Sequence, residues 1–143
     1  MSTLTSANSV LMLGVANLYN TPVQIQGYSV DDAFAVEEVE MGETLMGIDG
    51  KLSSGYTPYP VPLEVTLQAN SASNDVFDAI IQAEAIAREK YQLNASILIP
   101  SISMLFTFTT GYLQKGSIIP AAKKVLQPRK FTIDFQNVSR APA

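Results

Sequence analysis

The segment that most constrains the fold is residues 63–90, because it joins a strand directly to the most strongly helical part of the chain. Leu63, Val65 and Leu67 alternate with polar residues, and this period of two places them on one face of a β-strand. The polar residues 69–74 then end the strand. From 74 to about 91 the apolar residues follow helical spacing. We therefore expect a strand followed by one α-helix that covers the open face of a sheet.

The expected helix has an apolar stripe on one side. The stripe consists of Val76, Ala79, Ile80, Ala83, Ile86 and Ala87. Ser71 or Ser73 is expected to cap the first turn, because a serine oxygen accepts a backbone N–H that the helix leaves unpaired. Glu84 and Arg88 have the spacing of an ion pair. Ile81 lies off the stripe, where it is either an isolated surface residue or a contact with a neighbouring subunit.

The composition favours a subunit of an assembly. The chain has 143 residues, enough for a single domain with its own core, and 47% of them are hydrophobic. Only 15% are charged, whereas about 25% is usual for a soluble domain. A monomer with so few charges would expose much apolar surface. We therefore expect copies of the same chain to cover that surface.

The sequence contains no cysteine and no histidine. This excludes disulfides, thiolate or imidazole metal sites, and catalysis that needs either side chain. No cofactor is predicted and an enzyme is not expected, although Lys, Asp, Glu, Tyr and Ser could still carry chemistry. No positive residue precedes the first apolar run, so no secretory signal is predicted. The uncharged stretch 91–114 contains Pro100 and alternating residues, which favours strands and argues against membrane insertion.

Charge is divided between the two ends of the sequence. Residues 1–50 contain seven acids and no basic residue, whereas residues 111–143 contain six basic residues and only Asp134 as an acid. These segments are either two solvated faces or complementary surfaces through which copies meet head to tail. The acidic cluster could also bind a divalent cation or act as an acid/base pair. The basic set could also touch nucleic acid.

The remaining pattern predicts a mainly β protein with about seven strands. These strands span 10–18, 23–30, 33–41, 63–68, 94–99, 103–112 and 130–138, with the helix between the fourth and the fifth. Residues 1–8 are expected to form a flexible arm. Residues 42–62 are expected to form a long Gly/Pro-rich loop, in which Asp49-Gly50 is a tight-turn dipeptide. A β-sandwich or barrel with one flanking helix fits best, and a split βαβ-type α+β fold is the alternative.

With these features in order, the chain resembles the tail tube protein of contractile-tailed bacteriophages. Three stretches carry the resemblance: MGETLMGIDGK at 41–51, LEVTLQANSAS at 63–73, and GYL at 111–113 followed by the Lys123-Lys124 region. The resemblance implies a barrel-like sandwich that forms hexameric rings, which stack into a tube inside a sheath and conduct DNA on ejection without sequence-specific binding. Related rings occur in phage-tail-like bacteriocins and type VI secretion, and the sequence leaves these alternatives open.

The resemblance also implies partners, a location and interface residues. The partners are the chain itself, a tail sheath protein, a baseplate or tail initiator protein, and a tape measure protein, in a virion tail assembled in the cytoplasm of a bacterial host. The candidates for an acidic lumen or stacking edge are Asp31, Asp32, Glu37, Glu38, Glu40 and Glu43. The inter-subunit loop candidates are Met46, Asp49, Lys51, Tyr56 and Tyr59. The basic interface candidates are Lys115, Lys123, Lys124 and Arg129, and the helix-edge candidates are Phe77, Ile81, Glu84 and Arg88.

A second function fits the same strand pattern. Alternating strands can also close into a monomeric barrel that binds a small molecule, in which case one deep apolar pocket is expected inside the barrel.

Overall fold

The computed structural model describes residues 9–16, 18–26, 34–36, 38–56, 58–119, 122 and 125–142. The described residues form nine strands, one α-helix and a short 3₁₀-helix. The strands are β1 (Val10–Val15), β2 (Tyr19–Ile25), β3 (Phe34–Val36), β4 (Gly42–Met46), β5 (Leu52–Tyr56), β6 (Val61–Leu67), β7 (Leu93–Ile99), β8 (Met104–Gly116) and β9 (Arg129–Pro142). The α-helix α1 spans Asn74–Ala87, and the 3₁₀-helix spans Pro100–Ile102. None of the described helices is long and apolar enough to cross a membrane.

Seven of these strands form one antiparallel sheet in the order β2-β1-β7-β8-β9-β6-β3, and β4 and β5 form a separate two-stranded sheet. The predicted mainly β fold with one flanking helix is confirmed. Helix α1 follows the fourth strand of the large sheet, as the sequence predicts. The first two predicted strands, 10–18 and 23–30, correspond to β1 and β2, which pair antiparallel, but β2 already begins at Tyr19, so Pro22 lies within it. Proline is tolerated there because β2 is an edge strand of the described sheet.

The core lies between the concave face of the large sheet and α1. The alternation predicted for β6 and β9 is confirmed, because Leu63, Val65, Phe131 and Ile133 are fully buried. Phe77 of α1 stacks on the Phe131 ring at a centroid distance of 4.2 Å. Burying each such side chain stabilises the fold by roughly 1.5–3 kcal/mol. The helix therefore covers the sheet chiefly through its first two turns.

The sheet curls until its β2 edge reaches the start of the helix. The Gln26 N–H donates to Ser73 Oγ at 2.8 Å, and Ser71 Oγ donates to the Gln26 carbonyl at 2.6 Å. The capping prediction was wrong, because neither serine caps a helical N–H in the first turn and Ser73 makes no side-chain cap bond. Both hydroxyls instead satisfy the backbone of Gln26 beyond the end of β2, and this contact closes the structure toward a barrel.

A bulge in β8 keeps its apolar residues on the inner face. Against β7, Phe108 pairs with Ala95 and Gly111 pairs with Leu93, so three steps along β8 match two along β7, and within this bulge Thr110 adopts a φ of 55°. The Thr110 N–H donates to Asn94 Oδ1 at 3.2 Å. Gly111 then lies directly beneath the Phe135 ring, where an added Cβ would collide with it. A glycine is required here because the aromatic ring fills the space above the backbone.

The helix ends earlier and is rotated relative to the sequence prediction. It ends at Ala87, and Arg88 adopts a left-handed φ of 56° whose N–H donates to the Glu84 carbonyl. The predicted Glu84–Arg88 pair is replaced by Glu84–Lys90 at 3.0 Å. Ile86 of the predicted stripe is 80% exposed, whereas Phe77 is fully buried. The reason is that only the first part of the helix contacts the sheet, so the last apolar residues have no partner layer.

Residues 42–62, predicted as a loop, contain a regular β-hairpin. Strands β4 and β5 pair from Gly42↔Tyr56 to Met46↔Leu52. Asp49-Gly50 forms the tight turn that the sequence predicts, with Gly50 at a φ of 84° and the Gly50 N–H donating to the Gly47 carbonyl at 3.0 Å. The predicted arm, residues 1–8, lies outside the described residues.

Candidate assembly surfaces

The β4–β5 hairpin presents apolar side chains to solvent. Leu45, Met46, Ile48, Leu52 and Tyr56 are each at least 61% exposed. Every described residue of β5 is exposed, and in β4 only Gly42 is half-buried. No described element packs a layer against these two strands, and an isolated two-stranded sheet is marginally stable in water. An exposed apolar patch of this kind marks a surface that another molecule covers.

The acidic candidates that are described lie next to this hairpin. Glu38, Glu40 and Glu43 are exposed, and Asp49 Oδ1 accepts from the Lys51 N–H at 3.2 Å in the hairpin turn. Asp31, Asp32 and Glu37 lie outside the described residues. Within the described ranges, no group of three or more acidic side chains is arranged to hold a metal ion. The described carboxylates therefore form an open acidic rim around the hairpin.

Tyrosines connect the hairpin to the barrel. Tyr59 is half-buried against the core, and its ring meets that of Tyr56 edge to face at 6.3 Å. A shallow groove at the hairpin base is lined by Val39, Glu40, Glu43, Pro58, Tyr59, Pro60 and Pro62. The prolines restrict the backbone of this base and so limit the directions in which the hairpin can extend.

A second exposed apolar surface lies at the opposite end of β6. Val61 begins β6 beside the hairpin, and Leu67 ends it opposite Arg129. Here a groove is lined by Gln68, Ala69, Asn70, Val125, Leu126 and Pro128. Ile118 and Ile119 nearby are also exposed. The sequence analysis named none of these apolar residues, although four large aliphatic side chains in a basic loop are a readable signal.

The basic candidates have different environments. Lys115 is exposed at this same end, whereas Lys123 and Lys124 lie outside the described residues. Arg129 is buried, with its guanidinium bonded to both Asp78 oxygens at 2.6 and 3.0 Å and to the Ser117 and Ile118 carbonyls. Its guanidinium carbon also lies 5.1 Å from the Phe131 ring centre. The prediction that Arg129 faces another subunit was wrong. Its guanidinium is buried within the subunit, where it joins α1 to the residues that follow β8.

The helix-edge candidates also divide. Phe77 lies in the core, so its prediction as a subunit contact was wrong. Glu84 is largely covered and accepts from Lys90 Nζ and from the Tyr91 N–H, both at 3.0 Å, which anchors the chain after the helix. Ile81 is half-buried near Gly116. Arg88 is exposed, and with Ile86 it marks the outer end of the helix, where a contact between copies stays a prediction.

The large sheet also offers free strand edges. β2 pairs with β1 and with no other described strand. In β9, residues 137–142 pair with β8, but the pairing with β6 stops at Phe135. Unpaired backbone groups along a sheet edge are a template for another strand. Both edges are therefore candidates for side-by-side contact between copies.

An apolar cavity of about 400 Å³ opens beside the free part of β9. It is lined by Phe34, Ala35, Val36, Val61, Ile97, Ile99, Phe106, Phe108 and Val138. Helix α1 packs on the other half of the concave face, and among the described elements no helix covers this half. Its size is within the range of small-molecule pockets.

Comparisons with known proteins agree with this architecture. Residues 2–139 match the family described as tail fiber protein gp32. A chain from the sheath/tube terminator of an extracellular contractile injection system, PVC, has a TM-score of 0.61 and 9% identity, over 99% of this chain and 98% of that one. A chain from the anti-feeding prophage (AFP) baseplate has a TM-score of 0.60 and 11% identity, over 99% of this chain and 98% of that one. A chain from the PVC sheath–tube complex has a TM-score of 0.56 and 8% identity, over 93% and 88%.

Identities this low show a shared fold. No curated protein matches the sequence. The predicted resemblance to the tail tube superfamily is confirmed by the family match together with the fold.

Proposed function

The chain belongs to the tail fiber protein gp32 family, and from this premise we propose that it is a structural subunit that assembles into a tail tube. The observation that carries the proposal is the free-standing hairpin with its exposed apolar residues. Such a hairpin needs a covering partner, and a second copy supplies a matching apolar groove. The fold shared with chains of sheath–tube, terminator and baseplate assemblies supports a tube subunit over an extended fibre.

Contact along the tube axis joins opposite ends of β6. The hairpin projects from the Val61 end, and the groove beside Val125 lies at the Leu67 end. A contact between two different surfaces of identical subunits is heterologous, and repetition of it builds an open stack. Acids around the hairpin and the basic 115–130 segment add charge complementarity, which assists association most at low salt. Stacking therefore places the hairpin of one ring against the groove of the next.

Contact around the tube joins the free sheet edges. An edge of β2 in one copy lies beside the free β9 edge of the next, so the sheet continues from subunit to subunit. Closure into a barrel leaves no exposed edge, which removes the tendency of such strands to aggregate. We propose hexameric rings for this closed arrangement, as the resemblance implies.

The tube then serves as a conduit rather than an enzyme. We propose that DNA passes through its lumen on ejection, that a sheath protein surrounds it, and that a baseplate or tail initiator and a tape measure protein set its start and length. Such a particle is a phage virion assembled in the bacterial cytoplasm, and a bacteriocin-type or secretion tube is the variant that carries no DNA.

Electron microscopy of the purified full-length chain tests the proposal. Rings or tubes with a central lumen are expected at high protein concentration, with a matching high-mass species in sedimentation. A strictly monomeric protein, even beside a tail initiator protein, would contradict it.

The apolar cavity supports a second candidate function, a monomeric small-molecule carrier. Phe34, Phe106 and Val138 would line the bound ligand. This candidate requires a saturable rise in the melting temperature of the monomer with an apolar ligand. The expected result for a tube subunit is no saturable shift, and the control is Phe106→Asp, which would abolish a real shift by charging the cavity wall.

A further inference from the structure

The convex face of the large sheet has a broad region without charge. Strand register aligns Gln24, Met12, Ser96, Thr107 and Ser139 in one row across five strands. Opposite residues in an antiparallel pair lie on the same face, so this row alternates with the buried inner residues. The neighbouring rows across β1, β7, β8 and β9 contain aliphatic residues, glycine, threonine and asparagine only.

The described charged residues closest to this region do not lie within it. Arg140 is directly opposite Phe106, so it is on the inner side of the sheet. On β9 the first outward-facing charge is Asp134, opposite Tyr112, and the Lys130–Glu64 pair lies farther toward the groove end, with a separation of 3.2 Å. The described acids of the rim belong to the hairpin and its base. An antiparallel sheet face in bulk water normally carries polar and charged residues, so this surface differs from an ordinary solvated one.

The position of the face follows from the proposed ring. The concave side of the sheet is filled by the core and by Phe77 of α1. If neighbouring sheets join along the β2 and β9 edges into a closed barrel, the convex side of each sheet is either the wall of the bore or the outside of the barrel. The helix and its polar surface occupy the concave side, which suits the outside of the tube. The convex side then faces the axis.

We propose that this charge-free face lines the bore, so that the tube conducts duplex DNA past hydroxyl, amide and methyl groups rather than past carboxylates. The inference rests on the proposed tube. Neutral groups exert no net Coulomb attraction or repulsion on the phosphates, so this wall lacks the cationic contacts that supply most of the affinity for DNA. The exposed acids at Glu38, Glu40 and Glu43 then belong to the stacking contact between rings and not to the wall.

Single-cysteine labelling of assembled tubes tests this placement, because the natural chain has no cysteine to react. Three variants are compared: Thr107→Cys on the proposed wall, Glu43→Cys at the proposed stacking contact, and Glu89→Cys in the exposed segment that follows the helix. Each is treated with a small maleimide and with a maleimide on a large polyethylene glycol, as tubes verified by microscopy and as dissociated subunits.

We expect Thr107→Cys in tubes to react with the small reagent and to lose the polymer reaction, since the polymer cannot enter the bore. Glu89→Cys should react with both reagents, and Glu43→Cys with neither. All three should react with both once dissociated. The inference is overturned if, in tubes, Thr107→Cys reacts with the polymer reagent or with neither reagent. It is also overturned if Glu43→Cys, like Thr107→Cys, reacts with the small reagent only. In each case the proposed tube function still stands, because tubes have formed. If the natural chain forms no tubes, the proposed function fails and the inference fails with it.

Discussion

The barrel and the β4–β5 hairpin are both built from antiparallel strands, yet the apolar residues are buried in the barrel and exposed in the hairpin. In β6 and β9 the inward residues are buried beneath α1 or against facing strands. In the hairpin, Leu45, Ile48 and Leu52 are exposed although the pairing is equally regular. The difference shows that strand pairing and burial are separate events. A second layer decides burial, and the described part of the chain places no such layer over the hairpin.

The largest expected effect concerns the barrel. Phe131→Ala removes the ring on which Phe77 stacks and leaves a cavity at the centre of the core, so we expect a loss of about 3–5 kcal/mol in the free energy of unfolding. Denaturant titration followed by circular dichroism measures it. The matched variant Tyr56→Ala, on the hairpin, should change the free energy by about 0.5 kcal/mol or less. Equal losses in the two variants would contradict the division between the regions.

Removal of the buried guanidinium should have the next largest effect. Arg129→Ala leaves the Ser117 and Ile118 carbonyls without their donor, and we expect a loss of about 2–3 kcal/mol, a typical value for hydrogen bonds to a charged group. Asp78 is half-exposed, so water can solvate the carboxylate that is left. The comparison variant is Lys115→Ala, on the exposed surface, which should leave the free energy of unfolding nearly unchanged. If Arg129→Ala were as stable as Lys115→Ala, the role of Arg129 as an internal clamp would be wrong.

Two glycine-to-alanine substitutions, one in each region, compare how the barrel and the hairpin accommodate one added methyl group. In Gly111→Ala the new Cβ would overlap the Phe135 ring, whereas in Gly55→Ala on the hairpin it would meet nothing within 4 Å. We expect Gly111→Ala to lose about 1–3 kcal/mol through overpacking and Gly55→Ala to lose no stability. Melting temperatures of the two purified proteins measure the difference. Equal melting temperatures of Gly111→Ala and Gly55→Ala would contradict the prediction, because they would show that the barrel has room for a methyl group at position 111.

The smallest change in stability should accompany a large change in assembly. Ile48→Asp places a charge on the hairpin turn, where the side chain is fully exposed, so the free energy of unfolding of the subunit should change by about 0.5 kcal/mol or less. Tube formation, measured by sedimentation and electron microscopy, should be lost, because the charge would be buried in the stacking contact without a partner. Gln82→Asp, at an exposed position in the middle of the helix, is the control and should leave tube formation unchanged. Tubes of normal length from Ile48→Asp would remove the hairpin from the contact.

The sequence by itself determined the local elements whose signals are short-range. Alternation in β6 and β9 follows from the period of two of a strand, the tight turn at Asp49-Gly50 from the freedom of glycine at positive φ, and the start of α1 from helical spacing. The resemblance to tail tube proteins could also be read from ordered stretches of sequence. The hairpin was predicted as a loop because residues 42–62 have the glycine and proline content of a loop. The residues of β5 are also exposed on both faces, so they do not show the alternation of buried and exposed residues that identifies a strand.

Only the tertiary structure decided which apolar and charged residues meet. Phe77 was predicted at a surface and lies against Phe131, and Arg129 was predicted at an interface and binds Asp78. In both cases the partner is more than fifty residues away in the sequence, so no local pattern can identify it. Ile86 has the same helical spacing as the buried residues but is exposed, because the buried residues of the helix all lie in its first half. Burial depends on which layer lies opposite, and periodicity describes only one of the two layers.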